Sequence, residues 1–130
     1  MHELDARLER IAGQVVDASF RVHSTLGPGL LESVYEVCLQ HELRKRGLRA
    51  ERQVELPVLY DEIRLDAGYR IDLLVQDEVV LELKAVDDLL PIHTAQLLTY
   101  LKLSGRELGF LINFNSVLIK DGIKRKVLTK

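Results

Sequence analysis

The chain has 130 residues, of which 47% are hydrophobic and 29% charged, with a net charge of −2. That length and apolar content allow one domain with its own core and exclude a disordered chain. The charge argues against a basic nucleic-acid-coating protein, the single cysteine Cys38 against a disulfide scaffold, and the lack of any apolar run near ~20 residues against a membrane span.

With no signal-peptide pattern at the N-terminus, a cytoplasmic location is the expectation. There are four Tyr, three Phe and no Trp, too few for an aromatic platform that stacks a single strand. Basic residues cluster at Arg44, Lys45, Arg46, Arg49 and Arg52, and again at Lys120, Lys124, Arg125, Lys126 and Lys130. Both clusters read as solvated faces.

Leu4, Leu8, Ile11, Val15 and Val22 recur at helical spacing and predict a helix over 4–22, ended by Gly27-Pro28-Gly29. A second helix is expected from about Leu30 to Gly47. Its apolar face is Leu31, Val34, Tyr35, Cys38 and Leu39, and Arg44-Lys45-Arg46 suits the negative end of its dipole. From Glu51 the period shortens to two. Val54, Leu56 and Val58 alternate with Gln53, Glu55 and Pro57, a strand that its proline places at an edge or a bulge.

Asp61-Glu62 reads as a turn. The next strand lies within 63–74, interrupted near Ala67-Gly68, and another runs over 79–85. Residues 91–103 read as a helix with Leu97, Leu98 and Leu101 on its apolar side and His93, Gln96 and Tyr100 in a polar-tipped stripe. A buried strand follows at 108–114, with room for a last short one at 123–128. The order α-α-β-β-β-α-β-β describes an α/β protein, a mixed central sheet flanked by helices. Strand 79–85, the helix and strand 108–114 can form a right-handed parallel crossover.

The chemistry is concentrated in residues 69–84. Asp72 sits in one apolar run; Glu82 and Lys84 sit in the next, two apart and so on one strand face. If the two runs form a hairpin, Asp72 faces Glu82 only when the loop has an odd number of residues, most simply Gln76 to Glu78, or when a bulge shifts the register. Two carboxylates and an amine in an apolar setting are costly unless something pairs them. Asp72 and Glu82, with the Leu83 carbonyl, are hard oxygen donors suited to Mg2+ or Mn2+. One cysteine and four scattered histidines offer no zinc spacing.

Beside such a site, Lys84 would orient a nucleophile and stabilise charge developing on a phosphodiester. The competing reading is an ion-pair ladder on a solvated sheet face. Tyr35 and Cys38 read as core residues, and His23 and His93 as hydrogen-bonded structural residues rather than ligands.

Asp72 followed by Glu82-Leu83-Lys84 resembles the core motif of the PD-(D/E)xK nuclease superfamily. Gln96-Leu97-Leu98-Thr99-Tyr100 resembles the Gln-x-x-x-Tyr element of its RecB-like members. Gly29-Leu30-Leu31-Glu32-Ser33-Val34-Tyr35 resembles the signature of the GxxExxY family, a group within that superfamily. Residues 23–35, 69–86, 93–103 and 108–115 share the likeness. The Pro-Asp start of the superfamily motif is absent, since Arg70-Ile71 precedes Asp72.

The resemblance implies a restriction-endonuclease-like core as a single domain over 1–130. It implies a metal held by Asp72, Glu82 and Leu83, with Glu32 reaching it directly or through water. Lys84 would be the catalytic lysine, and Gln96 and Tyr100 would line the cleft and position Lys84 or the phosphate. The implied activity is Mg2+-dependent (or Mn2+-dependent) hydrolysis of DNA phosphodiesters. The alternative is a catalytically silent module of the same fold that binds nucleic acid or a protein partner. DNA is the expected partner and a membrane is not; a homodimer would cover edge strands and pair two sites on a duplex.

Overall fold

The computed structural model describes residues 4–128; of the features expected above, the first three residues and Lys130 lie outside that range. The first apolar stripe forms α1, Ala6–Leu26, which buries Leu8, Ile11, Ala12, Val15, Ala18 and Val22. Asp5 caps it by accepting the Leu8 N–H at 2.8 Å. The helix continues past Val22 because Gly27, at φ 72°, is the first residue to turn the backbone out of it.

The second helix, α2, spans Glu32–Lys45. The turn before it is tied down by a residue within it: the Tyr35 hydroxyl donates to the Gly27 carbonyl at 2.7 Å and accepts the Leu30 N–H at 3.0 Å. The Tyr35 ring is fully buried and stacks on Phe114 with centroids 4.7 Å apart. Tyr35→Phe is expected to cost about 1–3 kcal/mol, because two backbone groups lose their partner. Urea denaturation would show a lower midpoint at unchanged slope, and a midpoint equal to the parent's would show that the turn does not depend on the hydroxyl.

The buried line of α2 is Tyr35, Leu39 and Leu43, with Cys38 partly buried beside it. Leu31 and Val34, expected on that face, are exposed. Leu31 is the N-cap and has extended backbone, which takes it off the helical line, and Val34 steps aside by one residue.

Five strands, not three, lie between α2 and the next helix: β1 (Ala50–Glu55), β2 (Val58–Tyr60), β3 (Ile63–Leu65), β4 (Arg70–Val75) and β5 (Val79–Lys84). The alternation from Val54 to Val58 does not run as one strand, because Pro57 lacks an N–H and separates β1 from β2. The interruption expected at Ala67-Gly68 likewise parts β3 from β4, with Gly68 at φ 86°. β2 and β3 pair only with each other, across a turn in which Asp61 has φ 57°. After α3 (Pro91–Ser104) come β6 (Leu108–Asn113), a 3-10 turn (Ile119–Gly122) and β7 (Ile123–Val127).

The main sheet has the order β1-β4-β5-β6-β7. β5 and β6 are parallel, joined by the α3 crossover, and the other neighbours are antiparallel. Alternate residues of β5 serve opposite faces. Leu81 and Leu83 join Leu8, Val15, Tyr35 and Leu39 in the core under α1 and α2. Val80 joins Leu97, Leu101 and Leu111 under α3. α3 lies so close to β6 that a Cβ on Gly109 would come within 2.9 Å of Leu97, whose side chain would have to shift to admit it.

β4 and β5 are linked by three residues, Gln76 to Glu78, with Gln76 and Asp77 at positive φ. The loop is held on several sides: Gln76 Oε1 accepts the Arg49 N–H, Asp77 accepts from Arg106, and Glu78 pairs with Arg7. No helix among the described residues is long and apolar enough to cross a membrane.

Candidate active site

The three-residue loop sets the parity that the sequence required. The β4–β5 pairs are Val75↔Val79, Leu74↔Val80 and Leu73↔Leu81; the same register brings Asp72 opposite Glu82. There the ladder stops, and the side chain of Asp72 takes over from the backbone by accepting the Leu83 N–H on Oδ2 at 2.8 Å. A carboxylate is thereby inserted between two diverging strands and held by its neighbour's main chain.

Glu82 is buried, 5% exposed, and its Oε1 has no hydrogen-bond partner. Burial is the main reason that its pKa is pushed up to about 10. A hydrogen bond to Asp72 and the Asp72 charge act in the same direction, while Lys84 opposes them. A Glu in this state is not part of an ion-pair ladder on a solvated face, and that reading is set aside.

Lys84, partly buried, closes β5, with its carbonyl accepting the Phe114 N–H at 2.9 Å. Glu32 is the first residue of α2. Its surface is exposed, yet the surrounding protein strips enough solvent to raise its pKa; Asp72 and then Glu36 add to the rise and Lys84 pulls it down.

On the face that Glu82 shares with Val80, α3 contributes Gln96 and Tyr100 one turn apart; Gln96 Nε2 donates to the Tyr100 hydroxyl at 3.1 Å. Burial raises the Tyr100 pKa, Gln96 opposes the rise, and the charges of Glu82 and Asp72 add to it. The six side chains singled out from the sequence, Glu32, Asp72, Glu82, Lys84, Gln96 and Tyr100, therefore act on one another across four elements.

Three groups that support the site escaped the sequence reading. Glu36 is 5% exposed, yet both of its oxygens are satisfied: Oε2 accepts from Arg52 at 2.9 and 2.8 Å, and Oε1 from Gln53 at 2.7 Å. Gln53 is the position opposite Asp72, where the β1–β4 ladder skips from Arg52↔Leu73 to Val54↔Ile71. Its φ is 55°, uncommon for a residue other than glycine, and the contact to Glu36 holds it there. The signal for Glu36 was its place one turn beyond Glu32 on the same helix; nothing local announced Gln53. Asn113, opposite Lys84 on β6, clamps the segment after Lys84 by accepting the Val86 N–H at 3.1 Å and donating to the Val86 carbonyl at 2.9 Å.

His23 and His93 are each hydrogen-bonded to the backbone. His23 Nε2 bonds the Ser116 carbonyl at 2.8 Å, and His93 Nδ1 accepts the Leu90 N–H at 2.9 Å in the cap of α3. The basic clusters are partly neutralised: Lys45 by Glu42, Arg46 by Asp17 and Glu42, Arg52 by Glu36, and Arg125 by Glu9.

Among the described residues, no three His, Cys, Asp or Glu side chains are grouped so as to hold a metal ion. The carboxylate donors on offer are the pair Asp72 and Glu82. Mg2+ keeps several waters and is usually bound through one or two carboxylates, so this pair fits such an ion, and the orphaned Glu82 Oε1 is a buried acceptor that a cation would satisfy.

Comparison with known proteins found no match among curated proteins and none among solved structures. The family pattern of the PD-(D/E)XK nuclease superfamily matches residues 9–126. That span runs from within α1 to within β7 and includes every side chain of the cleft. On this match and this fold, the chain belongs to the PD-(D/E)XK nuclease superfamily.

Proposed function

We propose that this chain is a nuclease of the GxxExxY type that hydrolyses DNA phosphodiester bonds as one catalytic unit, using a divalent cation, Mg2+ or Mn2+. The observation that carries the reading is the Glu82 carboxyl: buried, beside Asp72, and with one oxygen lacking any partner. Evolution of a stable fold alone would not favour such a group; a cation between Asp72 and Glu82 removes its cost. PD-(D/E)XK nucleases generally use divalent ions, and such an ion polarises a phosphoryl group and lowers the pKa of water.

The chain's own residues supply the rest. Asp72 and Glu82 hold the ion, with the Leu83 carbonyl as the further donor and Glu32 reaching it through water. The ammonium of Lys84 orients the attacking water and counters the negative charge that grows on the phosphate. Gln96 fixes the Tyr100 hydroxyl at the wall of the cleft, where the pair positions Lys84 or the phosphate. Arg52 and Gln53 anchor Glu36, which keeps α2, and with it Glu32, against β1.

Calorimetric titration of Mg2+ and Mn2+ into the parent chain and into Asp72→Ala, with DNA cleavage assayed on the same samples, tests this. The expected result is cation binding and cleavage in the parent and loss of both in the variant, with the fold retained. Binding without cleavage on any DNA would favour a silent module that acts through a partner. A parent chain that binds no cation would overturn the proposal.

A further inference from the structure

A cavity of about 530 Å3 opens between β2, the residue before β4 and α3, bounded by Val58, Tyr69, Ile92, His93, Gln96 and Tyr100. It shares Gln96 and Tyr100 with the proposed cleft, so a nucleotide seated in it would reach toward that cleft. Its volume is that of a small-molecule site.

Three features are unused by the proposed chemistry. Tyr69 is 49% exposed although it packs edge-on against Tyr100, with centroids 6.2 Å apart. Ile92 is exposed at the mouth. His93 accepts the Leu90 N–H on Nδ1, which leaves Nε2 as a donor on a cavity-lining residue. An aromatic face, aliphatic walls and a few polar edges are what a nucleobase meets when it leaves the stack.

We propose that this cavity seats the base of one unpaired nucleotide next to the scissile phosphate, stacked on Tyr69, so that the protein acts on unpaired DNA in preference to intact duplex. The proposal rests on the nuclease reading and deepens it. A base inside a duplex has both faces covered and cannot enter without being unstacked, whereas an unpaired one enters freely. The aromatic content of the chain is too small for a platform, but one exposed ring backed by a second suffices for one base. A peptide or a second copy of the chain is the less favoured occupant, because the cavity shares Gln96 and Tyr100 with the proposed cleft and has the volume of a small-molecule site.

The test uses the Lys84→Ala chain with Mg2+, in which cleavage is expected to be slowed about 10²-fold or more, over times too short for the residual cleavage. Fluorescence anisotropy compares an end-labelled single-stranded oligonucleotide with the blunt duplex of the same sequence. Tighter binding of the single strand is expected, with a further Tyr69→Ala change weakening it on the order of 10-fold or more and Tyr69→Phe retaining it. Duplex binding should not respond. An abasic scan against the chain with Tyr69 intact is independent of how the variants fold: removal of one base, at one position only, should weaken binding to a similar degree.

Equal affinity for both DNAs, or an abasic scan without such a position, would overturn the base subsite even if the parent chain cuts DNA. Conversely, Tyr69-dependent binding in a protein that cleaves no DNA would keep the base subsite and sink the nuclease reading.

Discussion

Lys84→Ala is expected to lower single-turnover DNA cleavage at saturating Mg2+ by about 10²–10³-fold or more, the usual loss when a group stabilising developing charge is removed. The fold should be nearly indifferent. Lys84 is held in β5 by backbone hydrogen bonds that alanine keeps, and its side chain is only partly buried.

The substitution acts twice, in the same direction. Lys84 is the cation that offsets the raised pKa values of both Glu32 and Glu82. Without it Glu82 is ionised still less at neutral pH, so cation binding weakens as well. Raising the pH should restore the binding but not the rate. A variant that cleaves at the parent rate, with an unchanged melting curve, would remove Lys84 from the chemistry.

Glu82 carries the second large effect, on pH. In the cation-free protein its pKa is pushed up to about 10, against 4.5 in the unfolded chain. The folded state therefore binds the proton more tightly. Across the window between those two values, stability contributed by this group falls as pH rises, with a slope of up to about 1.4 kcal/mol per pH unit.

Glu82→Gln, which mimics the protonated carboxyl, is expected to flatten that dependence and to be more stable than the parent at neutral pH while binding no cation. Binding of Mg2+ or Mn2+ reverses the logic: the ion displaces the proton, so affinity should rise by up to tenfold per pH unit and protons should be released. Urea midpoints measured at several pH values with and without Mg2+, and calorimetry in buffers of different ionisation enthalpy, read both effects. A flat stability profile together with no proton release would show Glu82 already ionised in the cation-free fold.

The sequence made the site more legible than the scaffold around it. Asp72, Glu82 and Lys84 could be placed because strand parity is an all-or-none rule, and a loop from Gln76 to Glu78 satisfied it. The long periodic segments, α1 and α3, were recovered with nearly the right ends, because their terminators, Gly27 and Gly105, act locally.

What was missed depends on contacts between distant segments. Val58 and Ile63 read as parts of longer strands, since alternation does not reveal that a proline and a glycine divide them into a separate hairpin. Leu31 looked like a core residue until the N-cap geometry turned it outward. Glu36 is an acid on a helix by any local measure; that Arg52 and Gln53 would meet it in the interior is a fact of how α2 lies on β1.

The link between β4 and β5 has a consequence for how such a chain can change over time. Surface loops ordinarily tolerate gain or loss of a residue, and this one touches no part of the cleft. Its length nevertheless decides on which side of the sheet Asp72 is presented. Dropping or adding one residue would send every side chain of one strand to the opposite face, and the Arg7, Arg49 and Arg106 contacts that fix the loop leave it little slack to absorb the change. Point substitutions at Gln76, Asp77 or Glu78 loosen the loop but keep its parity; a single-codon deletion there would disarm the protein without altering one residue of its cleft.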